Sequence, residues 1–260
     1  MKKLVKKGFT MVEVMLFLAI TGIILVSVII STRNAVNEQR YNDSVQNFAE
    51  FLRSVYSSVS NPKGKTGGLG GGKGETALYG KLITFGEDSQ YNPDSKVNVY
   101  DVIGDAKVVT GDTISALKAV KADAVIRNGS TTTLTGSKSD YRPNWDAKLE
   151  NPNGTVYKGA ILISRSPASG TIYTYVMEGS TLEIGELISR NITPTATKPS
   201  LQLALEAGKF TQKEVSFCII PEGLFVFGGM RHREVRIAAG AHDASAIVLS
   251  SMDGDDNKCK

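Results

Sequence analysis

The first thirty residues constrain this chain more than any other stretch. Lys2, Lys3, Lys6 and Lys7 precede Gly8, and residues 9–30 then read FTMVEVMLFLAITGIILVSVII, with Glu13 as their single charge. That run of 22 residues matches the ~20 needed to cross a hydrocarbon core of about 30 Å. An ionised carboxylate within such a span is costly unless something pairs with it, so Glu13 reads as a functional group.

Ordinary export signals account for part of the pattern. A secretory signal peptide has the basic start but a shorter apolar region, and a small-residue exit follows it. The sequence after Ile30, STRNAVNEQR, offers no such exit. A plain signal anchor is the other simple reading, with Glu13 snorkelling about one turn to the headgroups.

The spacing K-G-F-T-M-V-E from Lys7 to Glu13 resembles the processing site of type IV prepilins and pseudopilins. The resemblance implies a prepilin peptidase that cuts after Gly8 and methylates the new N-terminus, Phe9. It implies that Glu13 pairs with the N-terminal amine of a neighbouring subunit as the filament assembles. Both charges would then escape isolation in a low-dielectric setting, where an unpaired charge is far costlier than a paired one. Other pilins or pseudopilins and an inner-membrane assembly platform are the partners implied, besides membrane lipid. The lysines hold the N-terminus in the cytoplasm and leave everything after Ile30 outside. The expected location is therefore a single pass through the cytoplasmic membrane, then a cell-surface or periplasmic filament.

The same reading corrects the composition. Formal net charge is +4 and the leader carries four lysines and no acid. Its removal leaves side-chain charge near zero, so whole-molecule charge gives no support to a nucleic-acid role.

Beyond the span the apolar stripe continues. Tyr41, Val45, Phe48, Leu52, Val55 and Val59 step by three or four residues, the spacing of one helical face. No glycine or proline lies between Ile23 and Asn61, and Pro62 disfavours helix at the residue before it. A helix over residues 9–60 would be about 78 Å long. Its outer half should pack on its own exported domain and its inner half should stay bare.

Residues 64–74 read GKTGGLGGGKG. Gly67 to Lys73 fits G-x4-G-K, but Gly74 stands where a phosphate loop needs Ser or Thr, and no strand precedes it. A glycine-rich linker over 61–76 explains the stretch better.

Residues 77–260 suit one β-rich domain. Strand patterns occupy 78–85, 96–103, 156–164, 171–177, 214–220, 224–227, 234–238 and 246–250, separated by turn chemistry such as Asn153-Gly154 and Ser169-Gly170. Short helices are expected near 113–123 and 201–207, and a Thr/Ser/Gly-rich surface excursion over 128–139. There is no internal repeat. The fold class is α+β: residues 1–8 a leader, 9–30 the transmembrane or filament-core helix, 31–60 its amphipathic continuation, then the linker and an antiparallel β-rich domain. This is also the pilin-like architecture that the resemblance implies.

Cys218 and Cys259 are the two cysteines, and export permits a disulfide between them. A bond would staple the C-terminal tail to the strand holding Cys218, as many pilins close a C-terminal loop. A buried free Cys218 with an idle tail thiol is the alternative. Residues 217–240, FCIIPEGLFVFGGMRHREVRIAAG, also resemble the C-terminal part of the GspH/FimT-like branch of pseudopilins and minor pilins. Some members of that branch present arginines to DNA, which makes Arg231, Arg233 and Arg236 candidate contacts. The Gly-Arg-x-Arg pattern is met with one residue inserted, at Gly229-Met230-Arg231-His232-Arg233. Asp253, Asp255 and Asp256 follow close behind, and a solvated strand face accounts for the same arginines.

Catalysis finds little footing. There is no G-x-S-x-G, H-E-x-x-H or C-x-x-C, and His232 and His242 are the only histidines. Nothing calls for a cofactor or metal. Asn-x-Ser/Thr triplets begin at Asn42, Asn128, Asn153 and Asn191, at the frequency chance supplies in a Thr-rich chain. The expected function is a minor pilin or pseudopilin of a type IV pilus-like filament and not an enzyme. The alternatives are a type II secretion pseudopilin, a DNA-binding competence minor pilin and a signal-anchored exported enzyme.

Overall fold

The computed structural model describes residues 10–60, 76–86, 96–105, 109–111, 113–125, 139–166, 168–180, 183–184, 187, 200–221, 232–250 and 259. The leader and Gly8-Phe9, the glycine-rich stretch, residues 128–138, the expected strand at 224–227, Arg231 and the three tail aspartates lie outside the described residues.

One helix, α1 (Met11–Ser60), accounts for the whole spine at 50 residues, about 75 Å at 1.5 Å per residue. Every apolar residue of the outer stripe is buried: Tyr41, Val45, Phe48, Leu52, Val55 and Val59. Ala49 and Tyr56 join them. Ser60 is the last described residue of the helix, next to the Asn61-Pro62 pair.

Two antiparallel sheets grip that outer half. The first has six strands: β1 (Thr76–Phe85), β2 (Val97–Asp105), β3 (Asp123–Val125), β4 (Ser139–Tyr141), β6 (Gly159–Arg165) and β7 (Ile172–Glu178). Their order is β3-β2-β1-β6-β7, with β4 also paired to β2. The second, ordered β10-β9-β8-β5, consists of β5 (Lys148–Glu150), β8 (Val215–Ile220), β9 (Arg233–Ile237) and β10 (Ile247–Leu249). Helix α2 (Thr113–Ala119) and helix α3 (Ser200–Glu206) complete the headpiece.

Sheet one is buried on both faces. Ile83, Phe85, Val97, Val99, Ile161, Ile163 and Val176 meet α1 and sheet two in one core. Leu82, Tyr100, Val102, Ala160, Leu162, Tyr175 and Met177 form a second core with Leu117 of α2 and Leu201 and Leu205 of α3. Covering both faces explains why β6, GAILIS, is apolar at successive positions rather than at alternate ones. Close strand approach sets one glycine: at the irregularity between Leu78 and Gly80, a Cβ on Gly80 would sit 2.7 Å from Ser164 Cα.

The expected strands appear with shifted ends. Strand β6 starts at Gly159 because Val156 makes only an isolated bridge to Glu150. Helix α2 stops at Ala119, well short of residue 123, since Lys121 takes a left-handed turn (φ 53°) that leads directly into β3. Thr76, placed in the linker by composition, is the first residue of β1. The three-residue strands β3, β4 and β5 escaped sequence reasoning, as so short a run has no readable period.

Two tyrosines of α1 pin the sheets. Tyr41 Oη donates to the Ile219 carbonyl (2.9 Å) and accepts from the Arg233 backbone N–H (2.6 Å), bridging β8 and β9 where their hairpin opens. Tyr56 Oη lies 2.6 Å from Thr174 Oγ1, which itself donates to the Ala241 carbonyl at 2.9 Å. Tyr41→Phe strands a buried carbonyl and a half-buried N–H, so the expected loss is about 1–3 kcal/mol, read as a lower denaturation midpoint.

Burial pushes the phenols of Tyr41 and Tyr56 from the ordinary 10 up to about 12. In the unfolded chain they ionise first, so they favour folding fully below about pH 10 and cease to do so as pH rises through about 12. Alkaline titration followed by circular dichroism should show unfolding within that window. A fold unchanged past it would contradict the burial.

Cys218 on β8 and Cys259 are joined in a disulfide, with Cα atoms 5.5 Å apart and a sequence separation of 41. The bond ties the tail to sheet two. Cys259→Ser should cost about 2–4 kcal/mol, mainly by releasing the unfolded chain. Thermal melts with and without reductant provide the check: the wild type should lose its advantage when reduced.

Candidate assembly surface

The inner half of α1 is bare. From Met11 to Ile30 its large apolar side chains are exposed on every side of the helix, among them Leu16, Phe17, Leu18, Ile23 and Leu25. Those 20 residues span about 30 Å, the thickness of a hydrocarbon core. By length and composition this helix can cross a membrane. Two threonines in and just past this run satisfy their hydroxyls within the helix, as an apolar medium favours. Thr21 Oγ1 donates to the Phe17 carbonyl at 2.8 Å and Thr32 Oγ1 to the Val28 carbonyl at 2.8 Å.

Glu13 sits in the first turn and bonds back to Thr10. Its Oε2 accepts from the Thr10 backbone N–H and from Thr10 Oγ1, each at 2.9 Å, while the Glu13 N–H donates to Thr10 Oγ1 at 3.3 Å. Thr10 and Glu13 thus form a capping box, the T-x-x-E signature of a helix start. It satisfies backbone donors that an α-helix leaves orphaned at its N-terminus. The signal was present in the sequence as Thr10-Met11-Val12-Glu13, overshadowed there by the charge itself. Both bonds fall on Oε2. Among the described residues Oε1 accepts none, so capping leaves one carboxylate oxygen for a partner.

Of the candidate arginines, Arg233 and Arg236 lie among the described residues. Arg233 pairs with Ile219 and Arg236 with Ser216. Three residues apart on one strand, they point to opposite faces. Arg233 shares the side of Val235 and Ile237, whose side chains enter the core against α1. Arg233 also begins β9 at the level of Tyr41, so it belongs to the end of the headpiece nearest the apolar run. His242 is held by its Nδ1 contact to the Ile172 carbonyl (2.7 Å) and by the edge of Tyr173. Among the described residues no cluster of three or more His, Cys, Asp or Glu could hold a metal ion.

The glycosylation triplets also separate. Asn42 lies within α1 with Ser44 buried beside it, whereas Asn153 occupies an exposed turn closed by Gly154 N–H on the Asn151 carbonyl (2.9 Å). Asn128 and Asn191 are outside the described residues.

No family model matches the chain, and neither a curated protein nor a solved structure is similar to it.

Proposed function

We propose that this chain is a structural subunit of a type IV pilus-like filament, processed between Gly8 and Phe9 and assembled through the inner half of α1. The observation carrying this reading is the division of one unbroken helix. Its outer half buries one face against two sheets, while the inner half exposes apolar side chains all round and opens on the G-F-T-x-x-E motif. Water does not tolerate such a surface, so it must lie in lipid or against other helices. A filament subunit needs both settings in turn. Before assembly the helix crosses the membrane; afterwards it packs in the filament core with the headpiece outward.

Glu13 then serves two purposes. Oε2 caps the helix, and Oε1 is left for the amine of a neighbouring Phe9. Such pairing locks the stagger between subunits, a well-attested use of a polar group in an apolar interface. Arg233 and Arg236, on opposite faces of β9, give no support to a joint phosphate contact by those two residues.

N-terminal mass spectrometry of protein purified from its own host is the test. The expected product lacks residues 1–8 and carries a methylated Phe9. An intact leader, or cleavage beyond Ile30, would overturn the assignment.

A further inference from the structure

Trp145 is the only tryptophan in the chain, and it sits where a core tryptophan would not. It lies within a 3₁₀ turn (Asn144–Asp146) just before β5, with left-handed backbone angles (φ 60°, ψ 36°). A bulky non-glycine residue is an outlier in that region, and strain of this kind collects at functional positions. Its side chain is 47% exposed. What holds the ring is Arg40, whose guanidinium carbon lies 4.6 Å from the ring centroid, within cation–π range.

Arg40 immediately precedes Tyr41, the first residue of α1 that the headpiece buries. The ring therefore marks the rim of the headpiece facing the apolar run. Arg33 and Val36 lie on the same side of α1, seven and four residues before Arg40. Arg33 is exposed, and Val36 is an exposed apolar side chain at 39%.

Distance along the helix makes the placement informative. The Arg40 Cα is about 15 Å past Ile30, and the Arg33 Cα about 5 Å. Helical side chains lean toward the N-terminus, which brings the Arg40 head and the ring stacked on it to roughly 10 Å beyond the span. The headgroup zone extends about 5–8 Å past the hydrocarbon on each side. Arg33 thus lies inside that zone, and the rim stands about 2–5 Å beyond it, a gap that the ~20° tilt usual for membrane helices shortens on one side. A tryptophan with an apolar body and a polar N–H suits this boundary, and arginines nearby attract lipid phosphate.

We propose that Trp145, Arg40 and Arg33 form an interfacial anchor that seats the headpiece on the lipid headgroups of the membrane α1 crosses. The inference rests on the membrane-spanning state of α1 given above. The anchor fixes the height of the headpiece and limits tilt of the spine while the subunit waits in the bilayer.

Because Trp145 is the sole tryptophan, its fluorescence reports this contact alone. The full chain is reconstituted at high dilution into vesicles of phosphatidylcholine and phosphatidylglycerol carrying nitroxide either on the headgroup or in mid-acyl position. Headgroup nitroxide should quench Trp145 more than mid-acyl nitroxide, and aqueous iodide should quench it less than a free tryptophan amide. Replacing both arginines (Arg33→Gln, Arg40→Gln) should reduce headgroup quenching and its dependence on phosphatidylglycerol. Quenching by neither lipid probe, with full access to iodide in vesicles that carry the chain on flotation, overturns the anchor but leaves the span intact. Protection that appears only at high protein-to-lipid ratio overturns it in favour of a contact with a second copy. Vesicles that fail to carry the chain overturn both readings.

Discussion

Glu13→Gln is expected to abolish filament incorporation while leaving leader cleavage intact. Capping and charge pairing make opposite demands on this substitution. Glutamine at the third helical position completes a capping box as glutamate does, so helix initiation through Thr10 should survive. What glutamine lacks is the negative charge that would neutralise a neighbouring amine in the apolar core. If pairing is the reason for the acid, Gln and Ala variants should both accumulate as processed chains in the membrane fraction and be missing from sheared filaments. If the cap is the reason, Glu13→Gln should assemble normally and Glu13→Ala should not.

Thr10→Ala supplies the converse case. It removes the hydroxyl partner of Glu13, at a cost of about 0.5–2 kcal/mol in helix stability, but keeps the carboxylate. Under the pairing account this variant should still form filaments, in reduced amount. Normal filaments from Glu13→Gln would sink that account and leave the residue a cap.

Phe217→Ala should cost the headpiece about 3–5 kcal/mol. Phe217 on β8 is fully buried and is the point where α1 and the two sheets meet. Its ring packs edge-on to Phe48 of α1 at 5.3 Å, against Phe85 of β1 at 5.0 Å and against Tyr157 at 4.6 Å. Deleting it empties the junction of three separate elements, none of which can move in without losing its own contacts. For a headpiece of this size the melting temperature should fall by roughly 10 °C or more. Phe217→Leu keeps most of the volume and should cost far less, about 1 kcal/mol. Equal melting temperatures for wild type and Phe217→Ala would mean that α1 and sheet two do not share a core.

Sequence periodicity reported elements in proportion to their length. The outer stripe of α1 holds its three–four spacing over about 20 residues, and each of its members is buried. Strands β1, β2, β6, β7 and β8 are long enough for alternation or apolar runs to be visible, with turns such as Ser169-Gly170 between β6 and β7. There Gly170 takes φ 73° and its N–H donates to the Ser166 carbonyl at 2.9 Å. Strands β3, β4 and β5 were not readable, because three residues adopt extended pairing through what lies beside them. Among the site residues, the charge of Glu13 was conspicuous and its bond to Thr10 was not. Arg233 and Arg236 stand close in sequence, but strand geometry places Arg233 on the side of Val235 and Ile237 and Arg236 on the other face.

What the sequence determined alone is the spine: one long helix, which half of it is apolar all round, and which face of the other half must be covered. Those properties are local, since helical periodicity relates residues three or four apart and composition sets the affinity for lipid. Only the tertiary structure decided that two sheets rather than one close on the outer half, and that sheet one has a core on each face. It also decided that Trp145 lies stacked on Arg40 at the rim of the headpiece nearest the apolar run. These depend on pairings between residues more than 100 positions apart, as in the Tyr41 bridge between β8 and β9. Contacts at such separation follow from the packing of whole surfaces, and no short pattern in the chain encodes them.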